Sequence, residues 1–500
     1  MKTIRDLLDR DLNKKIEEII KLDQTDEQSV HTEITEYIIT PSIQEHYHEL
    51  LKAYAEAPTA DTEAVGIWIS GFFGSGKSSF AKNLGYVLGN RQVLGENAAD
   101  LFKKQLDRAD KDAAKKIGDL IDYINVKIPT DAIMFDVQVD WAVKTATENL
   151  GEIMYTVLLR ELGYAQDFDI AELEIELENE GRLDDFVDRC KEKYQKDWTL
   201  IRKGAQKISR ASAILHDLDK ETYESGDSWS QSLRDKKADI TVGTFVQRTF
   251  ELCEKRMPRK ALVFIIDEVG QYVARSSEKI ENLRVIVEQF GKESKNRIKA
   301  GKAVAPVWVM VTSQEKLDEV VAAIDSKRVR LATMQDRFKY RVDLAPADIR
   351  EVATKRVLAK TDDGDKELKK RYHESEGALK AGCHLERTNR KTDINVDDFV
   401  QFYPYLPHYI ELSIDIMSGI RLQPGAPKHL GGSNRTIIKQ AYEMLVSERT
   451  KLADADIGTL VSFDKIFELV EGNLSSEKQK DISDIKSRFS GSGVSMEERV

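Results

Sequence analysis

The residues best placed to do chemistry are Gly71-Phe72-Phe73-Gly74-Ser75-Gly76-Lys77-Ser78, a full match to G-x-x-x-x-G-K-[ST]. Glycines in this run let successive backbone N–H groups turn toward phosphate oxygens, and a helix beginning near Lys77 aims its positive end at the same place. In such an arrangement the Lys77 ammonium reaches the β- and γ-phosphates of ATP and the Ser78 hydroxyl ligates Mg²⁺. Gly71, Phe72, Phe73, Gly74, Ser75, Gly76, Lys77, Ser78 and Ser79 are the candidate nucleotide-binding residues.

Two further stretches supply complementary groups. Val263-Phe264-Ile265-Ile266-Asp267-Glu268 is an apolar run that ends in two acids, with Asp267 expected to hold Mg²⁺ through water and Glu268 to polarise the attacking water. Pro306-Val307-Trp308-Val309-Met310-Val311-Thr312-Ser313 ends in hydroxyls, and Thr312 or Ser313 at that point can hydrogen-bond the water or the γ-phosphate. Between residues 327 and 341 lie Lys327, Arg328, Arg330, Arg337, Lys339 and Arg341, which read as an arginine finger at a subunit contact, a nucleic-acid contact or a solvated face. Arg435, opening a helix after Gly432-Ser433-Asn434, can reach nucleotide from a lid and report on its γ-phosphate.

The elements that must position these groups follow from periodicity. Continuous or alternating apolar runs predict strands at 64–70, 132–140, 263–268, 306–313 and 342–344. Helical spacing is expected at 77–88, 98–123, 145–162, 244–255 and 314–323. Lys77 and Asp267 stand about 190 positions apart, long for one nucleotide domain, so a mostly helical and mobile insertion is placed at 166–240. It includes Glu172, Glu174, Glu176, Glu178 and Glu180 at alternating positions. The chain therefore reads as an α/β P-loop domain at 59–345, preceded at 1–58 by an accessory element with helices at 4–22 and 43–57 and a short strand near 37–39. A helical lid is expected at 346–450, and 451–500 reads as a helical segment and linker to a missing C-terminal part.

Composition narrows the partners. A net charge of −11 excludes coating nucleic acid by bulk charge, so any DNA contact must be local. Cys190, Cys253 and Cys383 are widely spaced and in no metal-like pairing, which fits a reducing, cytosolic compartment, and Cys383-His384 lacks a second ligand pair. No apolar run is long enough for a membrane-spanning helix, and the first residues lead into a charged helix rather than a signal peptide.

With Gly71 to Ser78, Ile265-Ile266-Asp267-Glu268-Val269-Gly270-Gln271, Asp336-Arg337-Phe338 and Gly432-Ser433-Asn434-Arg435 in order, and Thr312-Ser313 at the sensor 1 place, the chain resembles AAA+ ATPases, with their succession of Walker A, Walker B, sensor 1, arginine finger and sensor 2. That resemblance covers about residues 64–450 and implies a three-layer αβα nucleotide domain with Arg337 as finger, though Arg328, Arg330 and Arg341 compete for the role. More specifically, Ile69 to Phe80 and Ile266 to Tyr272 resemble the N-terminal part of the BrxC/PglY family, the large P-loop proteins of bacterial BREX phage-defence systems. This implies a cytoplasmic ATPase that acts as a homo-oligomer, with other BREX proteins including a DNA methyltransferase and an alkaline-phosphatase-like protein, and with DNA as a possible further partner. The alternative is a nucleotide-controlled assembly switch with little or no hydrolysis.

Overall fold

The computed structural model describes residues 3–14, 26–71, 75–106, 111–137, 149–233, 240–273, 276–322, 329–382, 394–409, 412, 437–462, 465, 474 and 476–489. Its centre is a sheet of five strands, β1 (Gly66–Ser70), β4 (Thr130–Asp136), β5 (Ala261–Asp267), β6 (Trp308–Ser313) and β7 (Tyr340–Asp343), in the order β4-β5-β6-β1-β7. All four pairings are parallel. A separate antiparallel hairpin joins β2 (Gln92–Val93) to β3 (Glu96–Asn97). Parallel strands need crossovers, and helical crossovers cover both faces, which explains why β1, β5 and β6 are buried throughout rather than alternately exposed.

Strand alternation sorts the apolar side chains into two cores. Ile67, Ile69, Val263, Ile265, Trp308 and Met310 pack with the helices Pro41–Glu56, Lys77–Gly89 and Lys111–Lys127. Trp68, Phe264, Ile266, Val309 and Val311 face the opposite way, onto Leu150–Glu161, Val242–Arg256 and Ser277–Lys299. Helices thus lie on both faces of a parallel sheet, an architecture compatible with the expected three layers.

Residues 168–232 carry five helices, Phe168–Asn179, Leu183–Tyr194, Trp198–Ile201, Lys207–Leu218 and Ser228–Ser232, packed around their own small core of Ile170, Phe186, Trp198 and Ile214. The alternating glutamates belong to the first of these helices and reach different partners. Glu174 is buried against Arg202 (3.0 Å) and the Trp198 indole N–H (2.6 Å). Glu172 and Glu178 pair with Arg248 and Arg256 of the helix Val242–Arg256 at 2.6 Å each, so the insertion is fastened to the sheet domain by ion pairs.

The first 58 residues divide between two cores. Ile4, Leu7, Leu8 and Leu12 are buried with lid residues such as Val357, Tyr403 and Leu445, and Thr3 and Leu8 form backbone bridges to Asp456 and Lys360. Only Ile4–Leu7 forms a 3₁₀ turn where a helix over 4–22 is expected, with residues 15–25 outside the described part. Residues 27–57 instead pack beneath the helix Lys77–Gly89. A helix not anticipated from periodicity, Glu27–Thr35, is capped by Asp26, whose carboxylate accepts the Ser29 N–H. The strand expected near 37–39 is absent: Tyr37 to Ile39 run outside any ladder.

The helix expected at 98–123 is two helices, Ala98–Leu106 and Lys111–Lys127. Lid helices Pro346–Val357, Asp362–Gly382, Val396–Phe402 and Ile437–Val446 share a core with the 3₁₀ turn Leu452–Asp454. Among the described residues no helix is long and apolar enough to cross a membrane.

Candidate functional site: a glycine loop facing two acids

Because the strands are parallel, the C-terminal ends of β1, β5 and β6 meet at one edge of the sheet, the edge where open α/β sheets place ligands. β6 lies between β1 and β5, so its terminal hydroxyls fall between the glycine loop and the acids. Register pairs Ser70 with Ser313 and Ile266 with Val311, which brings Asp267 alongside Thr312.

The loop turns into its helix at Gly76, the N-cap of Lys77–Gly89, with φ +87°. A Cβ there would meet nothing within 4 Å, so backbone conformation alone demands glycine. Lys77 is 5% exposed and its Nζ donates to the Gly71 carbonyl at 2.9 Å. Ser75 Oγ is buried with no hydrogen-bond partner among the described residues, a donor available to an anion at the loop. Phe72, Phe73 and Gly74 lie outside the described part.

Ser78 Oγ donates to Asp267 Oδ2 at 2.7 Å, which joins the two motifs directly. Thr312 Oγ1 donates to the other oxygen, Oδ1, and accepts the Glu268 N–H at 3.0 Å. Glu268 adopts φ +57°, the left-handed region that non-glycine residues rarely enter, at the point where the chain leaves β5 for the helix Val269–Val273. That helix sits hard against β6: a Cβ on Gly270 would meet Ser313 Oγ at 2.0 Å. Ser313 Oγ itself accepts the Glu315 N–H at 3.1 Å, so of the two candidate hydroxyls Thr312 is the one that reaches the acids.

Burial is the main cause that pushes the Glu268 carboxyl up to about 7. The neighbouring Asp267 charge adds to it, the Lys77 ammonium opposes it, and Asp136 raises it further. Asp136 ends β4 directly beside Asp267 in register, an acid at the site that carries no motif of its own.

The loop opens onto a cleft that is continuous with solvent. One wall is Ser75, Gly76 and Ser79; another is Glu36, Tyr37 and Ile38 from the first 58 residues; the lid contributes Val352, Arg356 and Ile438. Periodicity does not mark these wall residues, and the one legible signal was the Asp26 cap that places the helix leading into Glu36. The wall is held by a buried ion pair between Lys82 of the helix Lys77–Gly89 and Glu33 (2.8 Å), which also accepts a hydrogen bond from the Tyr86 hydroxyl at 2.8 Å.

Arg337 does not face the loop's cleft. It ends the helix Val329–Arg337, 3.5 Å from Glu63 and 3.7 Å from Glu288 in its own chain. Arg341 pairs with Asp318 at 3.4 Å. Arg328, the Arg330 side chain, Cys383, His384 and Arg435 lie outside the described part.

Among the described residues no cluster of three or more His, Cys, Asp or Glu forms a metal cage. The Ser78 hydroxyl and Asp267 carboxylate are instead two hard oxygen donors, the number with which Mg²⁺ is held when substrate phosphates and water complete its shell, so the donor set fits Mg²⁺. The chain matches no protein-family model, and no solved structure matches it.

Proposed function

We propose that the chain binds Mg·ATP at the Gly71–Ser79 loop and hydrolyses it, as a P-loop ATPase of the AAA+ kind. The observation that carries this reading is the 2.7 Å hydrogen bond from Ser78 to Asp267, which brings the metal-binding residue of each motif to one point beside Lys77.

In this reading the loop amides and the Lys77 ammonium hold the β- and γ-phosphates, and Ser78 and Asp267 hold the metal. Bound Mg²⁺ would neutralise phosphate charge as it develops. Glu268 orients the attacking water and accepts its proton, a task suited to a carboxyl raised toward neutrality. Thr312 fixes the Glu268 backbone, and the cleft beyond Ser79 receives the nucleoside. The resemblance of Ile69 to Phe80 and Ile266 to Tyr272 to the BrxC/PglY family supports a role in bacterial BREX phage defence, in the cytoplasm, as an oligomer working with a methyltransferase, an alkaline-phosphatase-like protein and DNA.

The test is Glu268→Gln. It keeps ATP binding and stops phosphate release; hydrolysis at the wild-type rate refutes the role of Glu268.

One observation favours the second reading, a nucleotide-controlled assembly switch that turns over slowly. Arg337 is engaged by Glu63 and Glu288 of its own chain, so service as a finger to a neighbour requires its release. Mass measured with and without ATP, beside steady-state turnover with and without DNA, separates the readings: assembly without turnover supports the switch.

A further inference from the structure

The cleft contains a cation from the lid that no motif announces. Arg356 stands in the last turn of the lid helix Pro346–Val357, and its Nη2 pairs with Oε2 of Glu36, the C-cap residue of Glu27–Thr35. Both residues line the cleft that Ser75, Gly76 and Ser79 also line. They belong to opposite walls, 320 positions apart in sequence. Glu36 is anchored to the helix Lys77–Gly89 through its own helix and the Lys82–Glu33 pair, whereas Arg356 belongs to the helix Pro346–Val357. The side chains are 20% and 33% exposed, and Arg356 Nε is buried with no hydrogen-bond partner among the described residues.

A guanidinium in this position has two anions to choose between. One is a single carboxylate already in place; the other is the phosphate chain of a ligand drawn to the loop and helix N-terminus at the same cleft, with several negative charges and geometry suited to an Arg fork. We propose that Glu36 and Arg356 form a latch that nucleotide opens: when a nucleoside triphosphate enters, Arg356 leaves Glu36 for the ligand's phosphate edge, and the lid turns with it. This rests on the ATP-binding reading above and assigns that site a further nucleotide-binding residue.

Competition fixes the signs of the effects. A latch that must open before binding raises the apparent Kd by the fraction of molecules held closed, so its removal tightens binding. Glu36→Gln therefore binds ATP about twofold to fivefold more tightly, the range of one partly exposed ion pair. Arg356→Gln weakens binding, Arg356→Lys recovers part of the loss, and the double variant behaves like Arg356→Gln. A pair that merely pins the two walls gives another pattern, in which both single substitutions weaken binding alike.

The experiment is calorimetric titration of Mg·ATP into wild type, the single variants and the double variant, each checked for an unchanged melting profile. Opposite signs for Glu36→Gln and Arg356→Gln support the latch. Weakened or unchanged binding in Glu36→Gln, with wild type binding normally, overturns the latch and leaves the ATP-binding reading standing. A wild type that binds no ATP overturns both.

Discussion

The Thr312 hydroxyl accepts the backbone N–H of Glu268 at 3.0 Å while it donates to Asp267, so one side chain of β6 fixes both acids that end β5. The contact fastens a residue in left-handed backbone, a conformation that costs a non-glycine residue free energy. Thr312→Val keeps the shape but removes the acceptor, leaving the Glu268 N–H unpaired and Glu268 misplaced. Turnover is expected to fall about tenfold to a hundredfold, in the range of losing one preorganised polar contact, with ATP affinity little changed. Thr312→Ser retains the hydroxyl and most of the rate. Steady-state phosphate release with a parallel binding titration checks both; equal losses in kcat and affinity would point instead to collapse of the pocket.

The buried Lys82–Glu33 pair makes a separate prediction about stability. Both side chains are almost wholly out of water, at 0% and 4% exposure. Lys82→Met leaves the buried Glu33 carboxylate without its counter-ion, and costs about 3–5 kcal/mol, the usual penalty for breaking one side of a buried pair. Lys82→Met combined with Glu33→Leu recovers much of that loss, because the uncompensated charge is gone. Denaturant unfolding of the single and double variants decides it; a double variant no more stable than Lys82→Met contradicts this account of the helix contact.

Lys360, where the N-terminal segment bridges the lid at Leu8, predicts a pH dependence. Its ammonium donates to the Leu358 carbonyl, and burial pushes its pKa down to about 7 against a weaker opposing effect of Asp365. Below about 7 both folded and unfolded chains are protonated and the cost of burying the charge is fully felt. Between about 7 and the unfolded lysine value of about 10.4, the unfolded chain binds more protons, so stability rises with pH. Lys360→Met removes that contribution: the stability gap between variant and wild type is widest near pH 6 and closes toward pH 10. Thermal melts across that range test it, and a gap independent of pH refutes it.

Much of the candidate site is legible in the sequence because its signals are local. A glycine loop between an apolar run and a helix, two acids after Ile266, and hydroxyls after Val311 each fall at the end of a buried strand, and parallel pairing alone brings them together. What is not legible depends on choice of neighbour. Apolar spacing shows that Ile4, Leu7 and Leu8 are buried, but not that they pack with the lid while Tyr47 and Leu51 pack under the sheet. The glutamates at 172, 174 and 178 alternate like a strand and stand on a helix, since each is placed by an arginine distant in sequence. The far side of the cleft is harder still: Glu36 and Arg356 face each other across it from segments 320 positions apart.

The central claim is that Lys77 and the loop amides around it clasp the phosphates of Mg·ATP, and titration calorimetry of wild type against Lys77→Ala tests it most directly. The account predicts saturable, magnesium-dependent ATP binding by wild type and at least about a tenfold loss of affinity in a folded Lys77→Ala protein, consistent with removal of one charge-assisted phosphate contact. Equal affinity in the two proteins, or no heat of binding from either at millimolar ATP, would contradict it.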